Sequence, residues 1–491
     1  MAKLQPQFYK NYSEGMITNI NENIMPPGSV ALALNGQFDI ELGSFVTRLG
    51  TQLVGSQVQD NKTCLGLHNF RDSDGSNHAL IAFFNNSGDT YSVGTKVGTG
   101  SITDLTTQTA SLKHRMLTFL DSVLIVNGTD APKSYDGSVV ITDGGAFDLT
   151  NIPFAEPSLC IEWLDRVYLA GDTANPDRIY YSSTPSVGAI SWVSGNGYID
   201  FEPEEGAGGI KGFAKVSGFL LVFKERSMKR WNFDSAFPET LMDIGAPNQE
   251  CIISKGGICA FYSNSNKDAK GFYVTNGGKP TAISHDRANN IKKWVDAIPQ
   301  SASANIAGIG TSRAFLWSVG DLTVDGRTYS NVVFYYNYIL DQWSIRSYPT
   351  RFHFFSSYVD SNGVNTIVGG DNDGNVIELD ATDVFVDHSG QPIYYEVIHQ
   401  EEDFQYNQIK EISDSIVVHA KYMEGGQIFV TTDDNKDTRT SKITGVVSEL
   451  PLKQPITANL IQIGIRGTVQ GKQGILKEIE IPNIDVKNSY V

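Results

Sequence analysis

An apolar strand, a two-residue turn containing Asp or Gly, a second apolar strand and an aromatic-rich third recur along this chain, and few architectures accommodate that unit. One copy runs Met116-Leu117-Thr118-Phe119-Leu120, turns at Asp121-Ser122, continues Val123-Leu124-Ile125-Val126 and reaches Lys133-Ser134-Tyr135. Another runs Leu159-Cys160-Ile161-Glu162-Trp163, turns at Leu164-Asp165-Arg166 and continues Val167-Tyr168-Leu169-Ala170 to Ile179-Tyr180-Tyr181. A third runs Ile210-Lys211-Gly212-Phe213-Ala214, turns at Val216-Ser217-Gly218 and continues Phe219-Leu220-Leu221-Val222-Phe223 to Met228-Lys229-Arg230-Trp231. Fainter copies begin at Leu65, Ile258, Ile306 and Phe352. Their irregular spacing, about 45 to 55 residues, is the range of four-stranded propeller blades with variable outer loops. A small sheet that is apolar on both faces cannot bury both alone, and stacking copies around an axis supplies the missing burial. A sandwich or barrel of hairpins is the competing reading, but the repeat returns to its start after three or four strands instead of following Greek-key order. The expectation is therefore an all-β chain with residues 29–390 in a β-propeller of about six to seven irregular blades. Phe119, Ile125, Tyr168, Leu221 and Phe223 are its predicted buried positions.

Around Gln391 the pattern changes. Segments such as Ser415-Ile416-Val417-Val418-His419-Ala420, Leu460-Ile461-Gln462-Ile463-Gly464-Ile465 and Leu476-Lys477-Glu478-Ile479-Glu480-Ile481 alternate polar and apolar residues more strictly. That period of two predicts a separate C-terminal antiparallel β-sandwich over 391–491. Residues 1–28, with Pro6, Pro26 and Pro27, read as an N-terminal arm. One helix is expected, over 289–298, where Ile291, Trp294 and Val295 share a face and Pro299 ends it.

Forty-seven glycines, 11% aromatic residues and only 19% charged residues suit short strands joined by tight turns. A formal charge of −17 argues against a broad basic face that grips nucleic-acid phosphates. No stretch approaches the roughly 18 apolar residues of a spanning helix, and Met1 to Lys10 has no apolar core behind its lysines. The reading is of a soluble, cytosolically made protein without membrane span or signal peptide. Cys64, Cys160, Cys251 and Cys259 form no C-x-x-C pair, so free thiols are expected in place of a zinc site or a disulfide framework.

The motifs of phosphate-binding loops, dinucleotide folds, zinc proteases and serine hydrolases are missing. His353 has no spaced partner and reads as a structural histidine. Asp371-Asn372-Asp373-Gly374-Asn375 superficially matches a calcium loop, but its glycine is misplaced and no Glu stands at the twelfth position; a tight turn explains it more simply. The carboxylate runs Glu202-Pro203-Glu204-Glu205 and Glu401-Glu402-Asp403 invite a glycosidase reading, which needs two carboxyls about 5 to 9 Å apart across a cleft. Nothing in the sequence sets one run opposite the other, and solvated loops account for both. No enzyme, no catalytic, cofactor-binding or metal-binding residues, and no cofactor are expected.

Several stretches resemble the tail nozzle, tail hub or tail tubular proteins of short-tailed bacteriophages (podoviruses). Gly43-Ser44-Phe45-Val46-Thr47-Arg48-Leu49-Gly50 is similar to that family's Arg-Pro-Gly motif, with Leu49 where proline is usual. Also similar are Asp177-Arg178-Ile179-Tyr180-Tyr181-Ser182-Ser183, with Trp192 and Gly197-Tyr198-Ile199-Asp200-Phe201 downstream. Leu220-Leu221-Val222-Phe223-Lys224-Glu225-Arg226-Ser227-Met228 and Gly271-Phe272-Tyr273-Val274-Thr275-Asn276-Gly277-Gly278 follow in the same order. The matches lie within about residues 30 to 300. The resemblance implies a virion component assembled in the host cytoplasm, a homohexameric ring docked below head-to-tail adaptor proteins. Its further implied partners are tail fibre or tailspike proteins and the duplex DNA that passes through without sequence-specific binding. A propeller that binds or degrades carbohydrate in receptor recognition is the alternative function.

Overall fold

The computed structural model describes residues 2–487 except 11, 19–24, 27, 40–42, 57–61, 76–77, 86–90, 98–101, 110, 194, 202–208, 236–237, 286–289, 360–363, 403–408, 413–414, 433–436, 452–454, 459 and 470. Among the described residues seven antiparallel four-strand units follow one another along the chain and form the blades of a β-propeller. Blades 1 to 6 span 64–109, 115–141, 159–200, 212–242, 252–282 and 307–347, and blade 7 begins at Phe354. The innermost strand of each blade contacts that of the next, and that of blade 7 contacts that of blade 1, so the ring is closed. Its closure is discontinuous in sequence. Blade 7 takes three strands from 354–379 and its fourth from Gln52–Leu53, with Leu53 opposite Ile377 and Gln52 opposite Glu378.

Stacking explains why the second strand of each blade is apolar without alternation. In His78–Asn85, Leu80, Ala82 and Phe84 pack against Val368 and Val376 of blade 7. The intervening Ala79, Ile81 and Phe83 pack against Val123 and Ile125 of blade 2. Ser122–Val126 repeats the arrangement, sending Leu124 and Val126 towards Val167 and Leu169 of blade 3. Each such strand is buried on both faces, where burial of one large apolar side chain is worth about 1.5–3 kcal/mol. Ile125, Tyr168, Leu221 and Phe223 are buried as predicted, whereas Phe119 is only half-buried at the end of its strand.

The first hairpins of blades 2 to 5 share one turn at their lower ends. Leu120 and Asp121, Leu164 and Asp165, Ser217 and Gly218, and Gly256 and Gly257 all have positive φ at both central positions. This is the type I′ geometry that matches strand twist. The turn in blade 2 thus sits on Leu120-Asp121, one residue earlier than the sequence suggests, because Phe119 pairs with Ser122.

The second lobe is assembled from both ends of the chain. Ser29–Leu34 runs antiparallel to Tyr394–Glu402 and parallel to the last strand of blade 6, where Leu34 meets Ile345. A ten-stranded sheet therefore continues from blade 6 through Ser29–Leu34 and Tyr394–Glu402 to Ile461–Thr468, Gln427–Thr432 and Asp437–Lys442. A six-stranded sheet joins Gly36–Asp39 and Ser44–Thr47 to Ile416–Lys421, Val447–Leu450 and Ile475–Ile481, with Gln7–Tyr9 alongside. Alternating burial gives this lobe an apolar interior of Ile416, Val418, Ile428, Val430, Ile463, Ile465 and Ile479. That interior is continuous with the core of blades 4 to 6. Ser29–Thr47, included in the expected propeller range 29–390, thus pairs with the C-terminal strands, and residues before 28 contribute short strands to the same lobe. Pattern alone did not separate them because a strand buried by a neighbouring sheet reads like one buried by a neighbouring blade.

The expected helix forms only over Lys292–Asp296, shorter than the pattern suggests, and Asn289 lies outside the described residues. Trp294 and Val295, together with Ile291 before them, are buried, and Pro299 leads into a 3-10 turn at Gln300–Asn305.

Candidate functional site

Because every innermost strand runs in the same direction, the segments that precede them gather at one end of the axial channel, here called the upper face. Four of these segments meet there around a charged cluster. Lys113 Nζ lies 3.0 Å from Glu250 Oε2 and donates to the Ala304 carbonyl at 2.8 Å. Arg115 Nε lies 2.9 Å from Glu250 Oε1, and its Nη1 donates to the Ser158 carbonyl at 2.8 Å. Lys113 and Arg115 open blade 2, whereas Glu250 opens blade 5, on the far side of a seven-membered ring. The cluster therefore bridges the channel mouth from blade 2 to blade 5. Burial alone would raise the Glu250 pKa, but Arg115 and then Lys113 outweigh it and bring the carboxyl down to about 2.

A second buried cluster locks the two lobes together. All five N–H donors of Arg48 are used: two to the Asp387 carboxylate at 2.8 Å each, one to Asn35 Oδ1 at 3.1 Å, and one each to the Leu49 and Ser347 carbonyls at 3.0 Å. The guanidinium also lies 4.3 Å over the Tyr348 ring. Asn35 in turn donates to the Tyr394 carbonyl at 2.7 Å and accepts from Ser347 N–H at 2.7 Å. One side chain thereby ties blade 6, the connection leaving blade 7 and the second lobe. Gly50, two residues on, lies so close to the chain at Val386 that a Cβ would sit 2.1 Å from its carbonyl oxygen.

The candidates raised from sequence resolve differently. Burial, then Arg351 and Lys113, hold the His353 imidazole down to about 4, so it is neutral and adds no charge to the upper face. Asp371 accepts from the backbone N–H groups of Asp373 and Asn375 at 2.9 and 2.7 Å, and its other oxygen accepts from Asn375 Nδ2 at 2.9 Å. With Gly374 at φ 86°, this is a self-satisfied turn. Glu202, Glu204 and Glu205 lie outside the described residues, as does Asp403, while Glu401 and Glu402 fall in the strand Tyr394–Glu402. The four cysteines are free; Cys64, Cys251 and Cys259 are buried and Cys160 is half-buried. Burial pushes the thiols of Cys64, Cys160 and Cys251 up to about 12, which keeps them protonated and unreactive. Among the described residues no group of three or more His, Cys, Asp or Glu is arranged to hold a metal, and no helix is long and apolar enough to cross a membrane.

No family model and no curated protein matches the chain. Solved structures that it resembles are other proteins of propeller type. BamB from Moraxella catarrhalis aligns with 78% of this chain and 98% of its own at 11% identity, TM-score 0.39. The Pan2 WD40 domain of Neurospora crassa aligns with 70% of this chain and 97% of its own at 8% identity, TM-score 0.40. The coronin WD40 domain of Toxoplasma gondii aligns with 71% and 87% at 9% identity, TM-score 0.39. These similarities are too distant to carry any functional argument.

Further polar contacts join neighbouring blades. Lys224, buried, reaches Asp177 at 2.6 Å and so joins blade 4 to blade 3. Arg230 donates to the Gly277 carbonyl at 2.9 Å and joins blade 4 to blade 5. The sequence singles out none of these residues: Arg48 stands there only within the stretch 43–50, and Asp387, Glu250 and Lys113 are unmarked. Lys113 and Glu250 each stand two residues before an apolar strand, which is their one sequence signal, and Asp387 has none.

Proposed function

We propose that this chain is a non-catalytic structural component of a short-tailed phage tail. In this reading six copies form a ring, the nozzle or hub, beneath the head-to-tail adaptor, and conduct and retain the genomic DNA. The observation that supports it most is the joining of the two lobes through one ten-stranded sheet and the buried Arg48–Asp387 pair. A subunit braced in this way bears load without hinging, and a closed cyclic ring needs two different complementary patches, which two lobes offer. The ion cluster that bridges the propeller axis supports a reading in which the DNA path runs between subunits and not through any one propeller.

Electron microscopy of the purified protein tests this reading. Six-membered rings with an open lumen are the expected result. A monomer that retains or cleaves an oligosaccharide on a glycan array would replace it with the carbohydrate-binding alternative.

A further inference from the structure

A groove of about 820 Å³ runs down the outer flank of the propeller between blades 4 and 5. Apolar groups line its length, among them Met242, Tyr273 and Ala282. Its two ends differ in charge. Asp243 follows the strand Glu239–Met242 and Asp268 precedes Gly271–Thr275, which brings both carboxylates to the upper face. Lys279 precedes Thr281–Ala282 and marks the lower end. Asp243, Asp268 and Lys279 are exposed, and none has an ion-pair or hydrogen-bond partner among the described residues. Elsewhere the exposed carboxylates Asp200 and Glu239 are paired with Arg178 and Arg230.

Thr281–Ala282 is the outermost strand of blade 5 and, among the described residues, pairs only inwards, with Tyr273 and Val274. Its outer edge therefore presents backbone groups that no described residue pairs, next to the groove. The flank beneath is fixed. Tyr273 Oη donates to the Ala269 carbonyl at 2.8 Å, so it accepts from His285 Nε2–H at 3.2 Å, and His285 Nδ1 accepts from Ser284 Oγ at 3.0 Å. A wall held by hydrogen bonds loses little entropy when a ligand docks on it.

We propose that this groove receives an extended segment of a partner protein, laid beside Thr281–Ala282 as an added strand, with a Lys or Arg at the upper end. Three features select that occupant. The volume lies within the ~300–1,000 Å³ of ordinary binding pockets, but the groove is open along its length, which suits a chain better than a compact molecule. An exposed strand edge supplies main-chain hydrogen bonds, and the neighbouring apolar surface reads alternate side chains. Two carboxylates above and one ammonium below then set the direction of the segment and favour a basic residue over an acidic one at the upper end. The groove is available in a single subunit whether or not the chain forms rings.

The test pans yeast-displayed random peptides on the full-length protein. Two variants accompany it: Ala282→Arg, which fills the groove, and Asp243→Asn/Asp268→Asn, which alters only exposed side chains. Selected peptides are expected to share a Lys or Arg at one end followed by alternating apolar positions. They should fail to bind Ala282→Arg, bind the double Asn variant about tenfold more weakly, and slow hydrogen exchange at Thr281 and Ala282. If Ala282→Arg does not fold, the double Asn variant and the exchange measurement decide. The proposal is overturned if no peptide is selected, if the selected peptides lack a basic residue, if the double Asn variant binds them undiminished, or if lysine amide alone competes as well as the peptides do.

Discussion

Arg48 illustrates how one residue holds a fold whose parts lie far apart in sequence. Its side chain is 1% exposed and its carboxylate partner is 339 positions away. Removing one member of a buried, fully hydrogen-bonded pair leaves the other charge unsatisfied, at a cost of about 3–5 kcal/mol. Arg48→Ala should therefore destabilise the protein by that amount in a denaturant titration, and Arg48→Lys should recover little, since an ammonium cannot reproduce the forked contacts. Glu250 gives a second test, through pH. Its carboxyl is lowered from 4.5 to about 2, so its stabilisation is fully present above about pH 4.5 and is lost as pH falls through 2. The full shift corresponds to about 3 kcal/mol. Buried histidines act earlier. His68, His114 and His353 are held near 4 and His399 near 3, all mainly by burial, so protons taken up by the unfolded chain begin to withdraw stability below about pH 6.5. Stability should fall in two stages on acidification, and Glu250→Gln should flatten the lower stage while leaving the upper one in place.

At the scale of elements, the type I′ turns are where sequence and geometry disagree most. Leu164 sits at φ 50° with its side chain about half exposed, a conformation that Asn or Gly adopts with less strain. Leu164→Asn should raise stability by roughly 1 kcal/mol, read as a shift in the denaturation midpoint at unchanged slope. Blades were legible because a strand squeezed between two neighbours, such as Val167-Tyr168-Leu169-Ala170, is apolar at every position. Turn positions were legible to within a residue, since Asp121 and Asp165 occur where glycine or asparagine does elsewhere. The strand Ser29–Leu34 was not legible, because its partners, Ile345 and residues 396 to 399, are separated from it by hundreds of positions and carry no local signal. The same holds for Gln52–Leu53, whose two residues close the ring but are too few to make a pattern. Among the charged positions, Lys113 and Glu250 gain meaning only from ring geometry, which opposes blade 2 to blade 5.

For the whole molecule, the shared sheet changes what a truncation should do. Period and composition suggest that 391–491 is separable. In the fold, its removal strips Ser29–Leu34 of its antiparallel partner and uncovers the core that blades 4 to 6 share with the second lobe. Deletion of 391–491 should therefore yield an insoluble or non-cooperatively melting product, checked by calorimetry of the purified fragment. The last prediction concerns charge in the proposed ring. If six copies assemble, at −17 each they carry about −100 formal charges, while duplex DNA carries one negative charge per ~1.7 Å of axis. A basic lumen would hold the duplex by counterion release and slow it, whereas an acidic wall repels it from every side and keeps it centred. Screening limits that repulsion to about 8 Å at physiological salt, so it operates only where acidic side chains face the path. A ring that conducts DNA should therefore have a net negative lumen and should not retain duplex DNA even at low salt, where a cationic surface would bind most tightly. Gel-shift or filter-binding measurements over a salt series check this. Salt-sensitive retention of duplex by the isolated ring would mean that the acidity lies on the outer surface and leaves the path basic.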